Sequence, residues 1–336
     1  MSGADQTISF IVPVYNAQDT VVETLQSIAG LATDHPMEIW IVDDGSSDGS
    51  VRVIEEWRKK FDNSGGRIRT FLLSVDHGGE AAAMNAGLQQ AAGAVIAWVE
   101  SDVKLDPSWL NELLRELDVD KVAGAGGLLL PAPDDGAVAK MFGYEIAHKI
   151  RSNRGEARHI TSANALYRKE VFDRLGLCRV ELGESSFDSD FNQRIRNAGL
   201  RLRCNPGAVA WHHFKTRLGE CLQRTWWYGF RRPFVQSQVL YPFDRILALL
   251  VLSTGLAYPA LVLFFYQPML AWVLIFIVLM VQIGYSMYLY LKFRDPALLG
   301  SFPVFLMRNA VFLMAYVCGW IFKIFAPQTD QGVKER

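Results

Sequence analysis

The residues of this chain best suited to chemistry are carboxylates that follow short apolar runs. Asp44 lies in the acidic turn after one run, and Glu100 and Asp102 follow another, residues 94–99. At the end of a strand in an α/β sheet, carboxylates accept hydrogen bonds from hydroxyl and amide groups, such as those of ribose or a uracil ring. They also bind hard divalent cations. Taken alone, the Asp44 turn is equally well explained as an Asx-turn that begins a helix.

Other common chemistries lack their residue patterns in this sequence. No GxGxxG follows the first apolar run and no GxxxxGK(S/T) occurs, which argues against a dinucleotide fold and a P-loop. The four cysteines lie far apart without a CxxC pair, so neither a zinc site nor a disulfide framework is expected. A net charge of −1 without a long Lys/Arg run gives no electrostatic footprint for nucleic acid, and no such partner is expected.

Short apolar runs alternate with helical periodicity through residues 1–216. The runs 8–14, 38–42, 68–75 and 94–99 predict strands, and the segments between them predict helices. This alternation is typical of parallel βαβ units with helices on both faces of the sheet. Ligands of such sheets bind at the carboxyl ends of the strands, which is where the acidic turns fall.

The C-terminal part of the chain is far more apolar. No charged residue occurs from Ile246 to Leu291, and the stretches 246–266 and 269–291 each have the length of about 20 residues that a spanning helix needs. Basic residues flank the pair at both ends and the turn between has none, so both ends are expected in the cytosol. Buried helices of soluble proteins rarely run uncharged for this long, which disfavours a soluble helix pair.

A third apolar stretch, 302–325, contains Arg308 near its start. An arginine is costly in the hydrocarbon core, although near a helix end its side chain reaches the interface. We expect a third span, with a helix lying in the interface as the alternative. The sequence thus predicts a transmembrane domain over residues 244–326 and a polar tail over residues 327–336.

A series of short motifs runs through the first 215 residues. In chain order they are Pro13-Val14-Tyr15-Asn16, Asp43-Asp44-Gly45-Ser46-x-Asp48-Gly49-Ser50, Gly79-x-Ala81-x-Ala83-x-Asn85-x-Gly87, Glu100-Ser101-Asp102, Ala163-Asn164-Ala165-x-Tyr167-Arg168, Asp188-x-Asp190-Phe191 and Pro206-x-Ala208-x-x-x-His212. This series resembles family-2 glycosyltransferases. The resemblance implies the GT-A fold, a Rossmann-like and mostly parallel sheet flanked by helices. It also implies inverting transfer of a sugar from a nucleotide-diphosphate donor, with UDP expected as the nucleotide.

The resemblance assigns a nucleotide-sugar site to the first turns. By position, Tyr15 packs on the base, Asp44 accepts hydrogen bonds from it, and Pro13 shapes the loop. Asn85 is assigned to the same site. These assignments depend on the family motifs and not on spacing.

The resemblance also implies a metal site. Glu100-Ser101-Asp102 aligns with the DxD-like element, in which two carboxylates hold one Mg²⁺ or Mn²⁺ that bridges the diphosphate. Asp102 is assigned as a metal ligand, and Glu100 as a nucleotide-sugar contact that reaches the sugar directly or through a water. His212 is assigned to complete the metal or phosphate site, with a purely structural role as the alternative.

Asp188 falls where the family carries its general base. Such a base removes the proton of the acceptor hydroxyl while the oxygen attacks the anomeric carbon in one inverting displacement. The sequence departs from the family here, because Phe187 stands where a glutamate is common. Asp190 is the competing candidate for the base.

Residues 217–243 form a basic and aromatic segment. Arg217, Arg224 and Arg231 recur every seven residues, and Trp227 lies among them. The pattern predicts an amphipathic helix on the inner leaflet, where these four residues meet the membrane surface or the acceptor. An arginine here can hold an acceptor phosphate through two hydrogen bonds. An ordinary solvated arginine face is the alternative.

The combined expectation is a multi-pass enzyme of the inner (plasma) membrane with a cytosolic catalytic domain. It transfers a single sugar to a lipid or lipid-linked acceptor, and its oligomeric state is left open. A processive polysaccharide synthase is one alternative, disfavoured because Trp226 stands where the QxxRW motif requires arginine and because two or three spans are few for a channel. A catalytically inactive nucleotide-sugar-binding protein is the other, disfavoured by the presence of Asp44, Asp102 and Asp188.

Overall fold

A computed structural model describes residues 6–62, 66–152, 155–182, 187–214, 217–231, 233 and 253–325. They form two units. The first contains the described residues up to Leu130 and from Ile150 to His213; the second contains Pro131–Lys149 and the described residues from Phe214 onward. The predicted tail over 327–336 and the beginning of the first predicted span, 246–252, lie outside the described residues.

Nine strands form one sheet in the part of the chain that the structure describes. They are β1 (Ile8–Val14), β2 (Met37–Asp43), β3 (Ile68–Ser74), β4 (Val95–Val99), β5 (Val103–Leu105), β6 (Val122–Pro131), β7 (Gly155–Ala157), β8 (Asn164–Arg168) and β9 (Arg201–His212). Their order is β3-β2-β1-β4-β8-β6-β9-β5, with β7 beside β9.

The helices are named in chain order over both units. They are α1 (Val21–Ala29), α2 (Ser50–Asp62), α3 (Glu80–Gln90), α4 (Trp109–Leu117), α5 (Ala137–Ser152), α6 (Lys169–Leu175), α7 (Phe187–Asn197), α8 (Leu218–Arg231), α9 (Ala257–Tyr266), α10 (Pro268–Phe293) and α11 (Phe302–Phe325).

The predicted α/β architecture is confirmed, and the sheet is mixed. The pairs β1–β2, β2–β3 and β1–β4 are parallel, as the alternation of strands and helices requires. The pairs β4–β8, β6–β8, β5–β9 and β7–β9 are antiparallel. Apolar periodicity identifies a strand but not its direction, so the antiparallel part could not be read from the runs alone.

The core of the first unit lies between the sheet and its helices. All seven residues of β1 are buried, which explains its continuous apolar run. On one face, Trp98 of β4 packs among the rings of Tyr167, Phe172 and Phe191 at centroid distances of 4.8–5.6 Å. Gly87 brings α3 close to the sheet, because a Cβ there would lie 2.6 Å from a side-chain carbon of Ile11.

The second unit contains two helices that are long and apolar enough to cross a membrane. They are Pro268–Phe293, with 26 residues and a mean hydropathy of 2.2, and Phe302–Phe325, with 24 residues and 1.6. Large apolar side chains on both remain exposed, among them Phe276 at 63% and Ile324 at 68%. Of the first predicted span, α9 covers only Ala257–Tyr266. Whether 302–325 spans the membrane or lies in the interface stays a prediction.

A buried ion pair accounts for the arginine in α11. Arg308 pairs with Glu145 of α5, and its Nη2 donates to Oδ1 of Asn309 at 2.7 Å. Both charged side chains are at most 10% exposed. A charge can be buried when it is paired and hydrogen-bonded. Glu145, on a different helix, therefore supplies the counter-charge for Arg308.

Candidate active site

Two carboxylates and an imidazole meet at one edge of the first unit's sheet. Glu100 and Asp102 follow β4, and the pairing of β5 with β9 sets Val103 opposite His212. Asp102, one residue before Val103, is thereby brought to the imidazole. His212 Nε2 lies 3.1 Å from Asp102 Oδ1 and 3.6 Å from Glu100 Oε2.

These three side chains can hold a metal ion. One ligand atom from each lies within 4.8 Å of the others. Two carboxylates and one imidazole suit Mn²⁺, and the carboxylates also suit Mg²⁺. The structure therefore brings together three residues that the family motifs assign, and it adds Glu100 to the metal ligands that are geometrically available.

The electrostatics of this cluster favour a positive charge at its centre. Burial lowers the pKa of His212, but Asp102 and Glu100 outweigh burial and raise that pKa to about 10. The imidazole thus holds a proton between the carboxylates. A divalent cation would meet the same negative field and would compete with the proton on His212.

The turns that the family motifs assign to the nucleotide lie at the ends of β1 and β2. The Tyr15 ring is half exposed and stacks on His77, with centroids 4.2 Å apart. Asp44 is buried, and its carboxylate accepts from the backbone N–H of Gly78 at 2.8 Å and of Gly79 at 3.0 Å, and contacts His77 Nδ1 at 2.8 Å. Asp44 therefore shapes the loop on which Tyr15 stacks.

Two further residues assigned to the donor site have structural contacts. Pro13 lies inside β1, opposite Val42 of β2. Asn85 donates to the carbonyl oxygen of Cys178 at 2.8 Å and accepts from its N–H at 2.9 Å. Both polar ends of the Asn85 amide are thus engaged in holding the loop after α6. The donor-site role of both residues stays a prediction.

The two candidate bases on α7 have different partners. Asp188 Oδ2 lies 3.4 Å from Nε2 of His159. Asp190 instead bonds to Arg179 at 3.1 Å and to Arg194 at 2.8 Å. The two arginines occupy both oxygens of the Asp190 carboxylate, so these contacts favour Asp188 as the base.

Phe187 occupies a core position. It is 1% exposed and packs edge-on to Trp98 at a centroid distance of 6.1 Å. The side chain at the position where the family often has glutamate therefore anchors the start of α7.

His159 lies beside the candidate base, and sequence reasoning did not single it out. It precedes β8 by five residues and belongs to no motif, so no local signal marks it. Ser162, three residues later, donates to Glu100 Oε1 at 3.1 Å. Three residues span at most roughly 11 Å. The segment 159–162 therefore contacts Asp188 at one end and Glu100 of the candidate metal cluster at the other.

The predicted membrane-surface residues all lie at or on α8 in the second unit. The Arg217 side chain is 84% exposed and lies 3.9 Å from Glu220. Arg224 donates to the Tyr228 hydroxyl at 3.0 Å. The Arg231 guanidinium lies 5.3 Å from the centre of the Trp227 ring. Arginines and aromatic rings therefore lie side by side on this helix, as the amphipathic pattern indicates.

The family comparison covers the segment that carries the donor-site turns and the acidic pair. Residues 9–176 match the family described as Glycosyl transferase family 2. The chain belongs to this family. The family predicted from the sequence motifs is confirmed.

The chain is also similar to two individual glycosyltransferases. The chain is 24% identical over 241 residues to glycosyltransferase AglE of Haloferax volcanii, covering 71% of this chain and 75% of AglE. It is 27% identical over 175 residues to undecaprenyl-phosphate 4-deoxy-4-formamido-L-arabinose transferase of Pseudomonas fluorescens, covering 51% of this chain. This alignment spans half the length of the Pseudomonas enzyme.

A solved glycosyltransferase structure has the same fold. It is the mannosyltransferase PcManGT from Pyrobaculum calidifontis in complex with GDP-Man and Mn²⁺. The TM-score is 0.59 at 18% identity, covering 93% of this chain and 86% of PcManGT. The predicted GT-A fold is confirmed by this similarity.

Proposed function

We propose that this glycosyltransferase transfers a single sugar from a nucleotide-diphosphate sugar, with inversion, to a lipid or lipid-linked acceptor. The observation that carries the proposal is the cluster of Glu100, Asp102 and His212 at the edge of a family-2 fold. Residues 1–216 form the catalytic domain in this proposal. Residues 217–243 form the interfacial segment, and residues 244–326 form the membrane anchor.

The donor is held from both ends. Tyr15 offers a half-exposed ring to stack on the nucleotide base, beside the loop that Asp44 fixes. Asp102 and His212, with Glu100, would hold Mn²⁺ or Mg²⁺. A bound divalent ion neutralises the charge that builds on the leaving nucleoside diphosphate. UDP is the nucleotide we expect, and GDP is the competitor to test because PcManGT was solved with GDP-Man.

Asp188 is the general base in this proposal. The acceptor oxygen forms a bond to the anomeric carbon while the bond from that carbon to the diphosphate breaks. When the acceptor is a hydroxyl, its proton passes to the Asp188 carboxylate. A single displacement of this kind inverts the anomeric configuration. Asp188 contacts a histidine, His159, whereas Asp190 is paired with two arginines. This difference supports the choice of Asp188.

The acceptor proposal rests on the second unit and on the relatives. Two helices have the length and hydropathy of membrane spans, and the name of one relative specifies undecaprenyl phosphate. Lys292 and Arg294 lie at the end of α10, whereas its first turn carries no charge. By the positive-inside rule we expect the C-terminal end of α10 in the cytosol. We propose that the catalytic domain lies on the same, cytosolic face of the inner (plasma) membrane.

The deciding experiment uses the full-length chain in detergent with a total lipid extract. UDP-glucose, UDP-N-acetylglucosamine and GDP-mannose are offered in turn with Mn²⁺, and released nucleoside diphosphate and lipid product are measured. The proposal predicts a lipid whose mass increases by one sugar. A ladder of longer products would favour a processive synthase. Donor binding without nucleotide release or lipid product would favour an inactive binding protein.

A further inference from the structure

His159, in the segment before β8, contacts the candidate base Asp188 on α7. Its Nε2 lies 3.4 Å from Oδ2 of Asp188, and the histidine side chain is 20% exposed. The distance is long for a hydrogen bond, but such contacts in a site without substrate shorten when the reacting complex forms. The contact brings a nitrogen to one of the two carboxylate oxygens.

The tautomer of His159 is set by Asn192. The Asn192 Nδ2 donates to the carbonyl oxygen of Ile160 at 2.7 Å, and its Oδ1 accepts from the Tyr167 hydroxyl at 3.2 Å. These two bonds fix the orientation of the amide. Its second N–H then points to His159 Nδ1, 3.0 Å away. Nδ1 accepts this bond, so a neutral ring carries its proton on Nε2, facing Asp188.

The surroundings of His159 also hold the ring neutral. Burial lowers the pKa of His159; Asp188 opposes this effect, and Arg196 adds to it. Asp188 therefore meets a neutral N–H donor, whereas Asp190 meets two guanidinium groups. A neutral donor orients a carboxylate while reducing its basicity less than a cation does.

We propose that His159 is a positioning residue for the glycosyl-transfer base. Its Nε2–H holds Oδ2 of Asp188, and the Ser189 backbone N–H donates to Oδ1 at 2.6 Å, which leaves one lone pair on each oxygen for the acceptor proton. The chain of contacts from Tyr167 through Asn192 to His159 makes this orientation rigid. The inference rests on the proposed function, in which Asp188 takes the acceptor proton.

The test compares two substitutions of His159 in the full-length chain. His159→Phe keeps the ring volume but removes the donor. We expect it to lower kcat about 10–100-fold, as loss of an orienting hydrogen bond does, with the donor KM within about twofold of wild type. His159→Gln places an amide N–H near the position of Nε2 and is expected to restore at least about a third of kcat. His35→Phe is the matched control, because the His35 ring contacts the backbone carbonyl of Gln6 at 3.2 Å and belongs to none of the site motifs.

The pH profile separates positioning from general stability. Nε2–H is a hydrogen-bond donor to the ionised base, so its loss should move the acid limb of kcat/KM to higher pH in His159→Phe. A merely structural histidine would lower the thermal midpoint and leave the limb in place. An unmoved limb, or equal losses in His159→Phe and His159→Gln, overturns the proposal.

A double variant distinguishes this inference from the proposed function. If His159 acts through Asp188, adding His159→Phe to Asp188→Asn should lower kcat no further. Full activity of Asp188→Asn would overturn both the base and its positioning residue. A large loss in Asp188→Asn with an unchanged His159→Phe would overturn only the inference on His159.

Discussion

At the scale of single residues, the site depends on which charge each carboxylate faces. Asp102 faces an imidazole, Asp188 a neutral histidine, and Asp190 two arginines. The three aspartates therefore have different chemistry although they belong to the same residue type. Each difference can be tested by a change to asparagine, which keeps the shape and removes the charge.

Asp102→Asn should lower metal-dependent turnover by at least about two orders of magnitude, because one anionic ligand and its field are lost. The thermal midpoint should change little, since the side chain is about a third exposed. Turnover as a function of Mn²⁺ concentration gives the measurement. Asp173→Asn, at an exposed position on α6, is the control. Activity that survives both Asp102→Asn and EDTA would remove the metal site from the mechanism.

Asp188→Asn should cost about 10²–10⁴ in turnover if the acceptor is a hydroxyl, because a general base is lost. Donor binding, measured by calorimetry with UDP and GDP, should be nearly unchanged. An acceptor phosphate is already ionised, so a small loss would identify that acceptor class. The matched variant is Asp190→Asn.

Asp190→Asn should act on stability and not on turnover. It removes the charge that Arg179 and Arg194 share, and hydrogen bonds to charged groups contribute about 1.5–3 kcal/mol each. The thermal midpoint should fall while the folded fraction keeps its kcat. A large kcat loss here with none in Asp188→Asn would exchange the two roles.

A site residue can be predicted from the sequence when it follows a recognisable strand or belongs to a family motif. Glu100 and Asp102 follow a recognisable strand, and His212 ends the last motif. His159 could not be found, because its partner Asp188 lies 29 residues later and neither the histidine nor its surroundings form a pattern. The direction of β8 was hidden for a related reason: apolar periodicity is the same in parallel and antiparallel strands.

At the scale of elements, the second unit depends on a charged contact between α5 and α11. Glu145→Gln should leave Arg308 buried without a full counter-charge, and breaking such a pair costs about 3–5 kcal/mol. The midpoint of thermal unfolding in detergent gives the measurement. Glu220→Gln, at an exposed position on α8, is the control. An unchanged midpoint would mean that the pair does not stabilise this unit.

A second contact between elements depends on glycine. α8 and α11 approach closely where Gly319 contacts the backbone of Phe230, and a Cβ at Gly319 would collide with that carbonyl oxygen. Small residues permit such close helix packing in membranes. Gly319→Ala should therefore lower the thermal midpoint. Gly284→Ala, on α10 with open space around the added Cβ, should be neutral or stabilise by about 0.5–1 kcal/mol. Equal effects would contradict the close approach.

At the scale of the whole molecule, one unit carries the candidate nucleotide-sugar site and the other carries the apolar helices. The orientation in the membrane can be tested with a cysteine at an exposed position of the first unit. Asp173→Cys should react with a membrane-impermeant maleimide in inverted vesicles and not in right-side-out ones. The unsubstituted chain, with the buried Cys178, Cys204 and Cys221 and the partly exposed Cys318, gives the background labelling. Labelling only in right-side-out vesicles would place the catalytic domain on the opposite face.

The most direct test of the central claim is the transfer of radiolabel from a nucleotide sugar into lipid. Full-length protein is incubated with labelled donor, total lipid extract and Mn²⁺, and the chloroform-soluble counts are measured. The account predicts label in the lipid phase that is lost with EDTA and in Asp102→Asn. Nucleotide-sugar binding without any label in lipid, over the whole panel of donors, would contradict it.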